Sequence, residues 1–268
     1  MSTDAGKLNP KKSLGQNFLK SAKVINTMVH SPNLQSGEIV IEIGPGKGAL
    51  TGPLLETGAT VIAFELDGRM IEFLAEKFAT YIESGKLVLV HEDIIEADLK
   101  KYTNSKEYSV VANIPYYITN LIMRKLLSGE HKPTHLCLLM QKEVAERIAS
   151  RDGKESILSL SVKLYGVPKY IMKVSRRYFA PAPRVDSAVL VVDEIHPDIN
   201  KDFEERFFTL VKTAFAQKRK QAIKNLSQLQ PKSYWEDLFS RLHIETNVRA
   251  EDISFEQWKK MALLFPGM

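Results

Sequence analysis

Asn113, Ile114, Pro115 and Tyr116 set a carboxamide, a stiffened backbone and an aromatic ring directly after the apolar residues 109–112. If that apolar run is a strand, the three groups project together from its carboxyl end, where open α/β sheets bind ligands. The chemistry they suit is the holding of a planar amine. The Asn113 side-chain oxygen and the Ile114 carbonyl can each accept one hydrogen from an exocyclic NH2, while the Tyr116 ring stacks on the heterocycle that carries it. Two acceptors on one amine draw its nitrogen away from conjugation and aim the lone pair outward, which gives a nucleophile without a strong base. A turn that ends a strand and buries its tyrosine uses the same four residues.

A second constellation lies upstream. Residues 38–43 read as a buried strand, followed by Gly44-Pro45-Gly46-Lys47-Gly48-Ala49-Leu50-Thr51, whose glycines permit a tight turn and close approach of backbone to a ligand at a helix start. A further apolar run, 60–64, ends in Glu65, 21 positions after Gly44, where a carboxylate can bind both hydroxyls of a ribose. The run 86–90 ends near Asp93, which can accept a hydrogen bond from an adenine amine. Together these residues describe a nucleoside pocket. Gly44, Gly46 and Ala49 also satisfy the G-x-G-x-x-A pattern of a nicotinamide site, so the turn alone leaves the nucleotide open. A Walker phosphate loop is excluded, because Lys47 is followed by Gly48 where Ser or Thr would hold magnesium.

These residues need a scaffold of alternating strands and helices. Strands at 38–43, 60–65, 86–91 and 109–112, with helical patterns at 50–56 and 68–83, predict an α/β doubly wound parallel sheet. Further strands are expected at 134–139, 169–174 and 187–192. After Glu194 the strand pattern stops, His196-Pro197-Asp198 reads as a linker, and helices are expected at 203–217, 218–228, 234–242 and 254–264. The organisation predicted is a catalytic domain, 1–195, with a basic N-terminal extension, and a helical domain, 196–268.

With 268 residues, 44% of them hydrophobic, the chain can bury a full core and a small accessory domain. Lysines and arginines number 37 against 32 acids, a net charge of +5, and the excess is uneven. Lys7, Lys11, Lys12, Lys20 and Lys23 face only Asp4 before residue 38, and Lys212, Lys218, Arg219, Lys220 and Lys224 form a second stretch without acids. Such clusters suit a phosphate backbone, although a solvated helix face accounts for any one of them. Cys137, the single cysteine, reads as a small core residue, and the six scattered histidines give no metal-ligand spacing, so no metal is expected. No apolar run approaches the roughly 18 residues of a membrane span. Residues 2–12 lack a signal peptide's apolar segment, so a cytoplasmic protein is expected. Nothing indicates an extended dimer seam, and a monomer is expected.

Four motifs appear in order: Lys12-Ser13-Leu14-Gly15-Gln16-Asn17-Phe18-Leu19, Glu42-Ile43-Gly44-Pro45-Gly46, Asn113-Ile114-Pro115-Tyr116, and Phe179-Ala180-Pro181-Ala182-Pro183-Arg184-Val185-Asp186-Ser187. In this the chain resembles the ribosomal RNA adenine dimethyltransferases of the KsgA (RsmA) type from about residue 8 to residue 264. The Erm methyltransferases, which modify large-subunit RNA, share the first three motifs. Residues 214–220 and 249–255 favour the KsgA type, and Tyr117 stands where many members carry Asn.

The resemblance implies a Rossmann-like methyltransferase sheet with a small C-terminal all-α domain, using S-adenosyl-L-methionine. It implies that Asn17 and Leu19 close over this cofactor while Gly44, Glu65, Asp93 and Asn113 line it, with Phe18 packing against the core. Pro181 and Pro183 hold their segment extended, and the resemblance implies that Phe179 stacks on the target adenine opposite Tyr116, its amine held by Asn113 and the Ile114 carbonyl. Lys11, Lys12, Lys218, Arg219 and Lys220 from the basic clusters, and Arg184 from the fourth motif, are the expected RNA contacts. The implied reaction is dimethylation of two adjacent adenosines in a hairpin loop near the 3′ end of small-subunit (16S) ribosomal RNA, within an immature small ribosomal subunit. A protein that checks subunit assembly and uses the fold mainly as an RNA platform is the rival reading. A nicotinamide oxidoreductase lacks an evident hydride-accepting site and leaves the Asn113 motif unused.

Overall fold

The computed structural model describes residues 9–11 and 14–267, which form two compact units. The first comprises the described residues up to Ala145 together with Gly166–Pro197, and the second comprises Glu146–Tyr165 and the residues from Asp198 onward.

The first unit is built from nine strands: β1 (Phe18–Leu19), β2 (Ile39–Ile43), β3 (Thr60–Phe64), β4 (Leu87–Val90), β5 (Tyr108–Asn113), β6 (His135–Gln141), β7 (Val167–Val174), β8 (Phe179–Ala180) and β9 (Ser187–Asp193). Seven of them make one sheet in the order β4-β3-β2-β5-β6-β9-β7, and β1 pairs with β8 in a separate two-stranded ribbon. The five strands from β4 to β6 run parallel, whereas β9 is antiparallel to both β6 and β7. The strands expected at 38–43, 60–65, 86–91 and 109–112 are the parallel ones, and the later strands make the sheet mixed. No α-helix separates β7 from β9, and parallel neighbours require a crossover of about a dozen residues, usually helical. Val110, Val111 and Ala112 in β5 and Leu136 to Met140 in β6 are fully buried, as strands covered on both faces must be.

Strand order places the functional turn. From β2 the chain steps outward to β3 and β4, then returns to β5 on the opposite side of β2. Ile43 is therefore opposite Phe64 on one side and Ala112 on the other, so the segments after β2 and β5 leave the sheet side by side at its switch point.

The helix expected over 68–83 forms as two, Gly68–Lys77 and Ala79–Glu83, interrupted at Phe78, whose ring packs where a Cβ on Gly48 would come within 2.6 Å of its Cε2. Among the described residues, five further α-helices carry no counterpart in the sequence reading: Ala22–His30, Leu99–Thr103, Thr119–Ser128, Lys142–Ile148 and Ile157–Tyr165.

In the second unit, helices Lys201–Phe215, Lys232–Arg241 and Phe255–Leu264 bury Phe207, Leu210, Trp235, Phe239 and Trp258. Residues 146–165, expected within 1–195, cluster with these helices through specific bonds. Glu155 N–H donates to the Glu251 carbonyl at 2.8 Å, Lys154 pairs with Glu251 at 2.5 Å, and the Tyr165 hydroxyl donates to Glu204 at 2.5 Å. The helix expected over 218–228 is only Ala222–Leu226, so Lys218, Arg219 and Lys220 lie in a turn. Buried Asn225 closes that turn by donating to the carbonyls of Ala214 (2.6 Å) and Gln217 (3.3 Å).

Candidate active site

A cavity of about 330 Å³ opens at the carboxyl ends of β2, β3 and β5. Asn17, Leu19, Gly44, Glu65, Asp93, Asn113, Ile114, Pro115, Tyr116 and Phe179 all line it, so the residues singled out for a nucleoside and for an amine share one site. Phe18, expected to pack on the core, lines it too, with the Lys47 ammonium 5.3 Å from its ring centre.

The turn after β2 needs glycine. Gly44 has φ +67° and its N–H donates to the Phe64 carbonyl at 2.9 Å; a Cβ there would meet nothing nearer than the Asn113 carbonyl oxygen at 4.0 Å. Gly46, at φ +55°, has no such space, since a Cβ would lie 2.9 Å from Phe18 Cε1.

Glu65 follows β3 and is 7% exposed. Its Oε2 accepts from Gly46 N–H at 3.1 Å, and its Oε1 accepts from the N–H groups of Leu66 and Asp67, both at 2.9 Å. Three backbone donors fix this carboxylate and tie the glycine turn to the end of β3. Asp93 accepts from Ile95 N–H through Oδ1 at 2.9 Å, and Oδ2 has no further partner among the described residues.

Sequence reasoning missed Glu42, the acid of the second motif. It is 1% exposed in β2, lines the cavity, and accepts from Thr51 Oγ1 at 2.6 Å. Burial, with the neighbouring Glu65 charge adding to it, pushes its carboxyl up to about 8 against the Thr51 hydrogen bond. Burial thus favours the protonated form of Glu42.

Asn113 ends β5, and its Nδ2 donates to the Asn17 carbonyl at 3.0 Å. That bond commits the amide nitrogen to the N-terminal segment and leaves Oδ1 to accept from another donor. Ile114 is anchored through its N–H to the Leu139 carbonyl at 3.3 Å. The Tyr116 hydroxyl meets Ser187 Oγ at 2.7 Å, and burial raises its phenol above the ordinary value. Phe179, 4% exposed, is held by the β1–β8 ribbon opposite Leu19, so the fourth motif and the first form adjacent wall segments.

The N-terminal segment is anchored beside the cavity on buried Asp67. Asp67 accepts from Arg69 Nη2 (2.6 Å), Arg69 Nε (3.0 Å), Lys11 Nζ (3.1 Å) and Gln16 Nε2 (3.2 Å). These bonds, with that of Arg69 the largest influence, hold its carboxyl well below the usual carboxylate range despite burial. Lys11, expected to contact RNA, thus directs its ammonium at Asp67. Lys12 lies outside the described residues. Arg184 is exposed in the first unit, and Lys218, Arg219 and Lys220 are exposed in the second. Among the described residues, no group of three or more His, Cys, Asp or Glu side chains could hold a metal ion, and no helix is long and apolar enough to cross a membrane.

Known proteins resemble this chain in sequence and in fold. Residues 7–266 match the family described as ribosomal RNA adenine dimethylase. The chain is 37% identical over 262 residues to "Ribosomal RNA small subunit methyltransferase A" of Fusobacterium nucleatum subsp. nucleatum, covering 96% of this chain and 98% of that protein. A protein of the same description from Dehalococcoides mccartyi (strain CBDB1) is 37% identical over 264 residues, covering 97% and 90%. Among solved structures, a dimethyladenosine transferase from Plasmodium falciparum superposes with TM-score 0.78 at 25% identity, covering 92% of this chain and 96% of that one. The 23S rRNA methyltransferase ErmE shares the fold, with TM-score 0.79 at 24% identity over 92% of this chain and 98% of that one.

Proposed function

The chain belongs to the ribosomal RNA adenine dimethylase family, and on that premise we propose that it transfers methyl groups from S-adenosylmethionine to the exocyclic amines of two adjacent adenosines in small-subunit (16S) ribosomal RNA. The observation that carries the reading is convergence: the glycine turn, Glu65 and Asn113 line one cavity at the switch point between β2 and β5.

The residues present suit the cofactor. Gly44 leaves the space a side chain would fill, Glu65 offers a fixed carboxylate to a ribose diol, and Asp93 keeps an oxygen for an adenine amine. Asn17 and Leu19 would cover it from the N-terminal side. When bound, S-adenosylmethionine supplies a methyl group on a sulfonium, an electrophilic carbon with a neutral leaving group.

The protein's own work is then alignment. Tyr116 and Phe179, on the same cavity, hold the adenine ring, while Asn113 Oδ1 and the Ile114 carbonyl each take one hydrogen of its amine. Orienting two reactants in this way can be worth roughly 7 to 11 kcal/mol, so no strong base is needed. The nitrogen gains a carbon and loses a proton to water, and a second round on the same nitrogen gives the dimethyl product. Exposed Lys218, Arg219, Lys220 and Arg184 supply positive charge for RNA phosphates. The reading includes a monomer acting in the cytoplasm on immature small subunits.

Two measurements test it. S-adenosylhomocysteine should raise the melting temperature and NAD should not. Mass mapping of nucleotides after reaction with unmethylated small subunits should find two adjacent dimethyladenosines; their absence under saturating cofactor would refute the substrate assignment.

A further inference from the structure

Asp67 is not among the residues that line the cavity, yet it is the most heavily bonded carboxylate beside it. Arg69, two residues away, already meets both of its oxygens and donates its N–H to the same carboxylate at the start of helix Gly68–Lys77. A buried carboxylate capped and paired in this way needs no further charge. Lys11 and Gln16 reach it nonetheless, from 56 and 51 positions earlier in the chain. What they add is a fixed position for their own segment.

That segment is closed on itself and pinned at two places. The Lys11 N–H donates to Gln16 Oε1 at 2.8 Å, and the Asn9 carbonyl accepts from Arg69 at 3.4 Å, which completes the Asp67 end. At the other end the Asn17 carbonyl accepts from Asn113, and Gly15 lies against Tyr117, where a Cβ would sit 3.3 Å from the ring. Residues 14–20, which include the anchoring residues Gly15, Gln16 and Asn17, form one wall of the cavity. The Asp67 N–H also donates to Glu65 Oε1, so one residue fixes both the strap and the carboxylate offered to the ribose.

We propose that Asp67 is a positioning residue that latches the N-terminal strap over the bound cofactor, acting through Lys11, Gln16 and Glu65 and not by touching the ligand. This rests on the reading that the cavity takes S-adenosylmethionine. A ligand held between strap and sheet leaves when the strap lifts, so weakening the latch acts mainly on its dissociation rate. At saturating cofactor the strap stays closed, so the Asn17 carbonyl keeps its bond from Asn113 Nδ2 and the amine-holding groups hold their places.

Asp67→Asn keeps an oxygen for the helix cap but removes the charge that holds Lys11. The dissociation rate of S-adenosylhomocysteine, measured by stopped flow, should rise about tenfold or more, the scale of a lost charge-assisted bond. KM for S-adenosylmethionine should rise with it, while kcat at saturating cofactor stays within about twofold, a split that general unfolding would not produce. Amide exchange of residues 11 and 14–17 should slow on ligand binding in the parent and much less in the variant. Lys11→Met, which leaves the Arg69–Asp67 pair intact, should raise the dissociation rate severalfold, and it decides the matter if Asp67→Asn does not fold. Parental dissociation rate and KM in a folded variant overturn the latch. Failure of the parent to bind S-adenosylhomocysteine overturns the cofactor reading and the latch with it.

Discussion

Glu42→Gln should remove from the first compact unit the pH dependence of stability that this carboxyl contributes. The carboxyl is 1% exposed, beside Glu65, and titrates near 8 in the folded protein against an ordinary 4.5. A folded-state value above the unfolded one means that the group's stabilising contribution is complete below about 4.5 and disappears as pH rises toward 8. Across that window the unfolded chain has released its proton and the folded chain has not, so each pH unit costs the parent about 1.4 kcal/mol. The full loss approaches about 5 kcal/mol, a large share of the 5 to 15 kcal/mol typical of a domain. Glutamine carries no proton to lose. It keeps an oxygen for Thr51 but buries a second N–H, which costs about 1 to 3 kcal/mol if unpaired. The variant should therefore be the less stable protein at pH 5 and the more stable one at pH 9. Trp235 and Trp258 both lie in the second unit, so tryptophan fluorescence would follow the wrong part of the chain. Amide exchange of the β2 residues 39–43, measured at pH 5, 7 and 9 and corrected for intrinsic rates, reads the correct unit. Opening free energies for parent and variant that stay parallel from pH 5 to 9 would show that Glu42 does not hold its proton in the folded state.

Other expectations concern the cofactor, the RNA and the transfer. Glu65→Ala should weaken S-adenosylhomocysteine binding about tenfold to a hundredfold by calorimetry while leaving RNA affinity near parental; unchanged cofactor affinity in a folded variant contradicts the ribose assignment. Replacing Lys218, Arg219 and Lys220 with Glu should lower small-subunit affinity and reduce its salt slope by about 0.7 to 0.9 per lost phosphate contact, with cofactor affinity untouched. A parental slope would make the turn a solvated surface. Asn113→Ala should leave subunit binding intact but slow single-turnover methyl transfer at least about a hundredfold at saturating cofactor, and near-parental rates would remove the amine-holding mechanism.

The sequence carries what depends on short range. Period, turn residues and motif spacing locate strands such as β2, β3 and β5, the glycine turn, and the Glu65 and Asn113 ends. The helix break falls at Phe78, whose ring lies against Gly48, 30 positions away, and β9 runs antiparallel to β7 across residues 175–186, which hold no α-helix to make a crossover; neither is periodic. Residues 146–165 join the second unit through Glu251 and Glu204, about a hundred and about forty positions further along, which no local pattern records.

The harder loss is in the polar residues, because a residue type advertises capacity and not its use. Lys11 looks like a phosphate contact until its ammonium is found on Asp67, and Glu42 looks like an ordinary acid until burial is known. Glu65 exposes the same ambiguity from the functional side. Its three backbone bonds hold the glycine turn to β3 whether or not a ribose is present, so Glu65→Ala removes a structural tie together with any ligand contact. The two effects separate by where they appear. Loss of the tie frees Gly46, Leu66 and Asp67 N–H groups and must lower the stability of the cofactor-free protein, whereas loss of the ribose contact is visible only as the difference between free and bound. A cofactor assignment for Glu65 therefore stands on the binding difference that remains after the melting curve of the unliganded variant has been subtracted.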